Sequence, residues 1–310
     1  WARLVELLYA AERVAELGAQ AAAEGLTIEL AAANDPRIVR DFDPYDRYVE
    51  VLRQVIPADL VAEAAGAAEH GFHACFSTEG GSMAPAARRV FGALGIGMDD
   101  AGPVFFTHEE ESSTYHGIGI VDGVNHGVDP GKWQVYKHVG AQELLRSGQA
   151  HVFFIWDPDG DRFNMVTTAP ADLAEPARAA GLEVDPLDQD RCLVYFKPNQ
   201  IYFLLTAAKI ASLAEAGELH RYQWIVASTW PTSRSIGELA EAFNRMHGAN
   251  LHTFRVPVGF KYFGSLLADL EEQVLAGSEE APTRTRAIDV TGREVVFGPR
   301  PRFVIMARTD

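Results

Sequence analysis

The chain has 310 residues, which at roughly 100–200 residues per domain means two domains or one large one, and excludes a stapled miniature scaffold. Hydrophobic residues make up 47% and charged residues 23%, so wholesale disorder and fibrous repeats are excluded and a globular core is expected. The 43 acidic side chains outnumber 27 Lys and Arg, and the resulting net charge of -16 repels a polyphosphate backbone, which argues against a nucleic-acid partner.

In chain order, residues 2–24 place Leu4, Val5, Leu8, Val14 and Leu17 near a 3.6-residue period, which predicts an amphipathic helix stopped by Gly25. The chain opens on Trp1 without a basic segment before an apolar one, so no signal peptide is read. Short apolar runs then alternate with helical patterns: a strand over 72–76, a helix near 84–95, a strand over 104–107, a helix near 133–147 and a strand over 151–156. The stretch from Pro170 to Asp190, rich in Ala, Pro, Glu and Asp, reads as a surface excursion. After Pro198 the alternation resumes with a helix to about 216, a strand over 223–228, a helix over 235–247, a strand over 251–256 and a helix over 260–275. Strand-rich segments follow at 287–290, 294–297 and 303–308. The pattern predicts an α/β protein of two consecutive three-layer units with mixed or mostly parallel sheets, divided near 196–199. The longest apolar stretch, Ile201 to Leu213, is interrupted by Lys209 and is too short for a bilayer span, so no membrane partner is expected. Cys75 and Cys192 each sit in an apolar run and are expected to be buried, unpaired thiols in a reducing compartment.

The segment most specific to chemistry is HVFFIWDPDGDRF, residues 151–163. A buried strand runs directly into Asp157, Asp159 and Asp161, and ligands collect beyond the carboxyl ends of such strands. Pro158 and Gly160 let the backbone turn tightly enough to aim three mutually repelling carboxylates at one point, and a divalent cation relieves that repulsion. An all-carboxylate set favours Mg²⁺ over Zn²⁺ and leaves coordination positions for phosphate or water. An EF-hand is excluded, because its sixth and twelfth positions counted from Asp157 hold Arg162 and Thr168. A haloacid-dehalogenase-type phosphatase also has a strand ending in Asp-x-Asp-Gly, but with Thr or Val next where Asp161 stands here, and it remains the runner-up.

A second constellation is VPVGFKYFGSLL, residues 256–267. Here a strand ends at Pro257, Gly259 permits close backbone approach, and Lys261 opens a helix. Lysine at a helix N-terminus opposes the dipole unless an anion sits there, so a bound phosphate or hydroxyl is one reading and an exposed turn lysine the other.

Together the two segments resemble the α-D-phosphohexomutase superfamily, the phosphoglucomutases and phosphomannomutases, from about Asp43 to Asp310. The resemblance implies that Asp157, Asp159 and Asp161 bind Mg²⁺, that Arg162 faces the phosphate, and that Val258 to Lys261, including Gly259, helps form the substrate site. DFDPYDRYVEVL, residues 41–52, is similar to the family's entry into its second domain. The domains implied are a remnant of a first domain over 1–40, a metal-binding domain over 41–196 and a third over 197–310. The activity implied is transfer of phosphate between the 1 and 6 positions of a hexose phosphate, in the cytoplasm. The family's Thr-Ala-Ser-His-Asn-Pro-type loop, whose serine carries the phosphoryl group, does not occur in these residues, and the sequence ends before a Glu-x-Ser-Gly sugar loop. An internal piece, inactive alone, is therefore expected. The alternative in a different class is a non-catalytic module that binds metal or sugar phosphate.

Three further segments read as structural. Ser235 with Glu238 has the spacing of a capping box, STEGGS at 77–82 is a turn after the first strand, and HEEE at 108–111 is a solvated loop. His108, His116 and His126 lack the compact spacing of zinc ligands.

Overall fold

The structure is a computed structural model that describes residues 34–36, 43–99, 102–277 and 284–307, together with Glu16, Ala19 and Ala23. Apart from Glu16, Ala19 and Ala23, which are helical, the helix expected over 2–24 lies outside the described residues, as do its Gly25 stop and the end of the final strand segment. The chain divides into two units, Trp1–Tyr48 and Val49–Asp310. Among the described residues from 43 onward, the α-helices are α1 (Tyr45–Val55), α2 (Ala58–Gly66), α3 (Met83–Ala93), α4 (Ala141–Ser147), α5 (Ala174–Ala179), α6 (Pro198–Glu215), α7 (Ser235–His247) and α8 (Phe260–Ala276). The architecture is α/β, with one mixed and one parallel sheet. Among the described residues, no helix is long and apolar enough to cross a membrane.

The first sheet uses β1 (Ala74–Ser77), β2 (Val104–Thr107), β5 (Val152–Trp156), β6 (Phe163–Pro170), β7 (Glu183–Pro186) and β8 (Arg191–Phe196). A small hairpin of β3 (Ile120–Val121) and β4 (Val124–Asn125) lies between β2 and β5 in the chain. The strand order is β2-β1-β5-β6-β8-β7, with β1 parallel to β2 and β5 and the remaining pairs antiparallel. Side chains alternate across a strand, so Cys75, Phe153, Ile155, Val166 and Tyr195 pack on one face with Val135, Tyr136 and Leu145. On the other face Ala74 and Val104 pack with Phe76, Phe91 and Phe154. Phe153 and Ile155 are fully buried, and each such side chain contributes about 1.5–3 kcal/mol relative to exposure.

The second sheet is β10 (Leu251–Val256), β9 (Trp224–Thr229) and β13 (Arg302–Ala307), all parallel with β9 central; β11 (Arg286–Ile288) and β12 (Glu294–Val296) form a hairpin. Every residue of β9 is buried, as a central parallel strand covered on both sides requires. Trp224 and Val226 meet Tyr202 and Ile210 of α6 and Ile236 of α7, while Ile225 and Ala227 meet Phe263 and Leu266 of α8.

Four expectations change. The helix expected over 133–147 is a 3₁₀ turn, Trp133–Lys137, followed by α4, because Gly140 adopts a left-handed φ of 74° that breaks the helix between them. The stretch from Pro170 to Asp190 contains α5 and β7. β7 sits at the edge of the sheet, where acidic residues and proline are tolerated because only one side is paired. The capping box at Ser235 is absent: Arg234 holds the N-cap position, and the Ser233 hydroxyl accepts the Ser235 N–H at 3.2 Å. HEEE is not uniformly solvated. His108 is half-buried, with Nδ1 3.1 Å from the Ser77 hydroxyl, and Glu109 pairs with Arg88.

Candidate cation and phosphate site

The residues that follow β5 make a tight connection into β6, with Trp156 and Phe163 paired across it. The Gly160 N–H donates to the Asp157 carbonyl at 2.9 Å, and the Asp157 N–H donates to the Arg162 carbonyl at 3.1 Å. Gly160 has φ of 76° and its α-carbon faces Met83, so a side chain there would meet both backbone strain and the Met83 sulfur. Glycine closes the loop free of both costs.

Asp157 is 1% exposed, whereas Asp159 and Asp161 face solvent. One carboxylate oxygen from each of the three lies within 4.8 Å of the others. Arg162 turns back over the loop: its backbone N–H donates to Asp157 Oδ1 at 3.0 Å and its Nε to Asp157 Oδ2 at 2.8 Å. The same guanidinium reaches Asp129 at 3.3 Å and Asp161 at 3.7 Å. One cation is therefore shared among three carboxylates, and the surplus negative charge favours a second cation.

The opposite wall is the Thr78–Ser82 loop beyond β1. The Ser82 N–H donates to the Pro158 carbonyl at 2.8 Å, and Gly81 lies so close to Pro158 that a Cβ would overlap its backbone. Between these walls lies a cleft of about 480 Å³, lined by Gly81, Ser82, Tyr115, Asp157, Asp159 and Arg162 among others.

Behind the cleft sits Glu79, which the sequence reading passed over as part of a turn. It is fully buried, and among the described residues neither carboxylate oxygen has a hydrogen-bond partner. Burial, followed by the nearby Asp157 carboxylate, raises its pKa to about 8, against the opposing pull of Arg162. The local pattern carried little signal: β1 ends at Ser77, and Glu79 sits in the following turn with a left-handed φ of 52°, so strand alternation does not extend to it. Burial also lowers the His108 pKa, with His116 acting in the same direction.

Gly259 and Lys261 lie at the carboxyl end of β10 in the second sheet. Gly259, the N-cap of α8, has φ of 132°, which favours glycine. Lys261 is exposed, with Nζ 5.0 Å from the centre of the Tyr262 ring. The structure brings Asp157, Asp159, Asp161 and Arg162 together; Gly259 and Lys261 do not line their cleft.

A scan against protein-family models finds no match to this chain, and a search of curated proteins finds none either.

Proposed function

We propose that the loop from Asp157 to Arg162 binds Mg²⁺ and that the chain supplies the cation and phosphate half of a phosphohexomutase centre. The observation that carries this reading is the convergence of three carboxylates within 4.8 Å at the carboxyl end of a buried strand, with Arg162 locked beside them. The donor set fits the ion: all ligands are hard oxygens, two of the acids are open to solvent, and the local charge is not balanced by Arg162 alone. Bound there, Mg²⁺ supplies charge neutralisation to a phosphoryl group.

The chain's own residues divide the remaining work. Arg162 holds Asp157 in place through Nε and Asp129 through Nη1, leaving Nη2 to meet phosphate oxygens. Lys261, in the second sheet, contacts the sugar phosphate or holds a proton at Nζ, and Gly259 lets the backbone approach the substrate. In this reading the two sheets belong to consecutive three-layer domains, 41–196 and 197–310, in a cytoplasmic enzyme acting on hexose phosphates. A haloacid-dehalogenase-type reaction fits less well: Asp157 would be the nucleophile, yet it is buried and both its oxygens accept from Arg162.

Titration calorimetry with Mg²⁺ tests the cation. Wild-type chain should bind and Asp159→Asn should bind at least tenfold more weakly; equal affinity would remove the triad from the site. Hexose-phosphate turnover in the complete protein encoded by the same reading frame tests the reaction, and full activity of Asp159→Asn there would overturn it.

A further inference from the structure

The cleft beside the Asp157–Arg162 loop has one aromatic side chain in its lining, Tyr115; its neighbours there are charged, such as Asp157, Asp159 and Arg162, or small, such as Gly81 and Ser82. Tyr115 arrives from the segment after β2, which is tied to the Thr78–Ser82 wall. The Gly80 N–H donates to the His108 carbonyl at 2.8 Å, and the Ser112 N–H donates to the Gly80 carbonyl at 3.0 Å. The loops at the carboxyl ends of three adjacent parallel strands, β2, β1 and β5, thus form one connected rim, at the end of the sheet where ligands collect.

The backbone under Tyr115 is held in an unfavourable conformation. Tyr115 and His116 are consecutive residues with φ of 50° and 53°, in the left-handed region that is costly for side chains of this size. Local bonds keep them there. The Tyr115 N–H donates to the Ser112 carbonyl and the His116 N–H to the Ser112 hydroxyl, both at 3.0 Å, and His116 Nε2 donates to the Glu110 carbonyl at 2.8 Å. The His116 ring lies against Gly80, where a Cβ would come within 2.8 Å of it. The tyrosine side chain itself is not used in this bracing. Tyr115 is 38% exposed, and among the described residues its hydroxyl has no hydrogen-bond partner and its ring no aromatic neighbour. A strained backbone that presents a free ring to a cleft points to a role at the ligand.

We propose that Tyr115 is the residue of this cleft that contacts the sugar, its ring lying against the C–H face of a hexose whose phosphate is held by Arg162 and the cation. This rests on the cation and phosphate reading given above and adds recognition of the carbon skeleton, which neither the Asp loop nor Arg162 supplies. Tyrosine suits the task, because it offers a large, rigid, amphipathic surface with few rotatable bonds to fix. The cleft, at about 480 Å³, falls within the roughly 300–1,000 Å³ that small-molecule sites occupy. Contact with the ring separates a hexose phosphate from inorganic phosphate, since only the former has apolar surface for the ring to cover.

The test is titration calorimetry on the whole chain in saturating Mg²⁺ with glucose 6-phosphate, mannose 6-phosphate and inorganic phosphate, and separately with Mg²⁺ alone. Wild type, Tyr115→Phe and Tyr115→Asn are compared, each checked for a native near-ultraviolet circular dichroism spectrum. Asparagine tolerates a left-handed φ, so Tyr115→Asn removes the ring without adding backbone strain. It should weaken the tighter-binding hexose phosphate tenfold or more, with Mg²⁺ and inorganic phosphate staying within twofold of wild type. Tyr115→Phe keeps the ring and should stay within threefold for every ligand. Hexose-phosphate affinity left within twofold by Tyr115→Asn would overturn the role of Tyr115 while the cation reading stands. A matching loss of inorganic phosphate would also overturn it, since the loop and not a sugar contact would then be responsible. So would a tenfold loss in Tyr115→Phe, which would place the contact at the hydroxyl. If Tyr115→Asn does not fold, Tyr115→Gly, which suits the same φ, takes its place with the same outcomes. Wild type binding hexose phosphate no more tightly than inorganic phosphate would remove the sugar contact alone, whereas no Mg²⁺ binding by wild type at millimolar ion would defeat the underlying cation reading itself.

Discussion

Gly81 and Pro158 touch backbone to backbone, and this contact fixes the spacing between the loops that follow β1 and β5. Neighbouring parallel strands place those loops side by side, but the missing side chain at Gly81 is what allows the Ser82 N–H to reach the Pro158 carbonyl. Gly81→Ala should therefore cost about 2–3 kcal/mol, at the upper end of ordinary overpacking because backbone cannot step aside. Its Mg²⁺ affinity should fall with it. Urea denaturation and calorimetry on the same preparation measure both.

Removal of Arg162 leaves Asp157, which is 1% exposed, without its charge partner. Breaking a buried pair typically costs 3–5 kcal/mol, but Arg162 is 53% exposed and water recovers part of the loss. Arg162→Ala should cost about 2 kcal/mol. Asp157→Asn added to it should recover most of that, giving strong non-additivity in a double-mutant cycle by urea denaturation.

Glu79 makes stability depend on pH in the direction opposite to a salt-bridged acid. Its folded pKa of about 8 lies above the ordinary 4.5, so between these values the folded state binds the extra proton. Stability therefore falls as pH rises from about 5 to 8, by at most about 4–5 kcal/mol for this group. Glu79→Gln should lose that slope. Urea midpoints at pH 5.5, 7 and 8.5 would show it, and parallel curves for the two proteins would contradict the prediction.

Cys75 and Cys192 are both buried and unpaired, and burial pushes the Cys75 thiol up to about 12. Thiolate is the reactive form, so both should resist aromatic disulfide reagents in the native state and react together once urea unfolds the chain. Rapid stoichiometric labelling of native protein would count against this.

The legible parts of the fold were those whose pattern is local. Val104–Thr107, Ser235–His247 and Leu251–Val256 have the expected bounds because an apolar run or a 3.6-residue stripe needs no partner to declare itself. The antiparallel strands β6, β7 and β8 were not assigned. β6 mixes exposed and buried positions, and β7 has no fully buried residue and ends in proline, so their pairing across the sheet edge is not written in composition. Gly140 likewise breaks a helical pattern that the side chains around it continue.

The sequence by itself determined the α/β class and the Asp157–Asp161 loop with its neighbouring arginine, because strand period and close-spaced charge are properties of short segments. Only the tertiary structure decided which of those acids is dry, that Arg162 clasps Asp157, and that Glu79 stands unpaired behind them. Burial and hydrogen bonding depend on what the distant chain brings alongside. An acidic residue two positions past a strand is the same letter whether it faces water or a sealed corner, and its chemistry differs completely between the two.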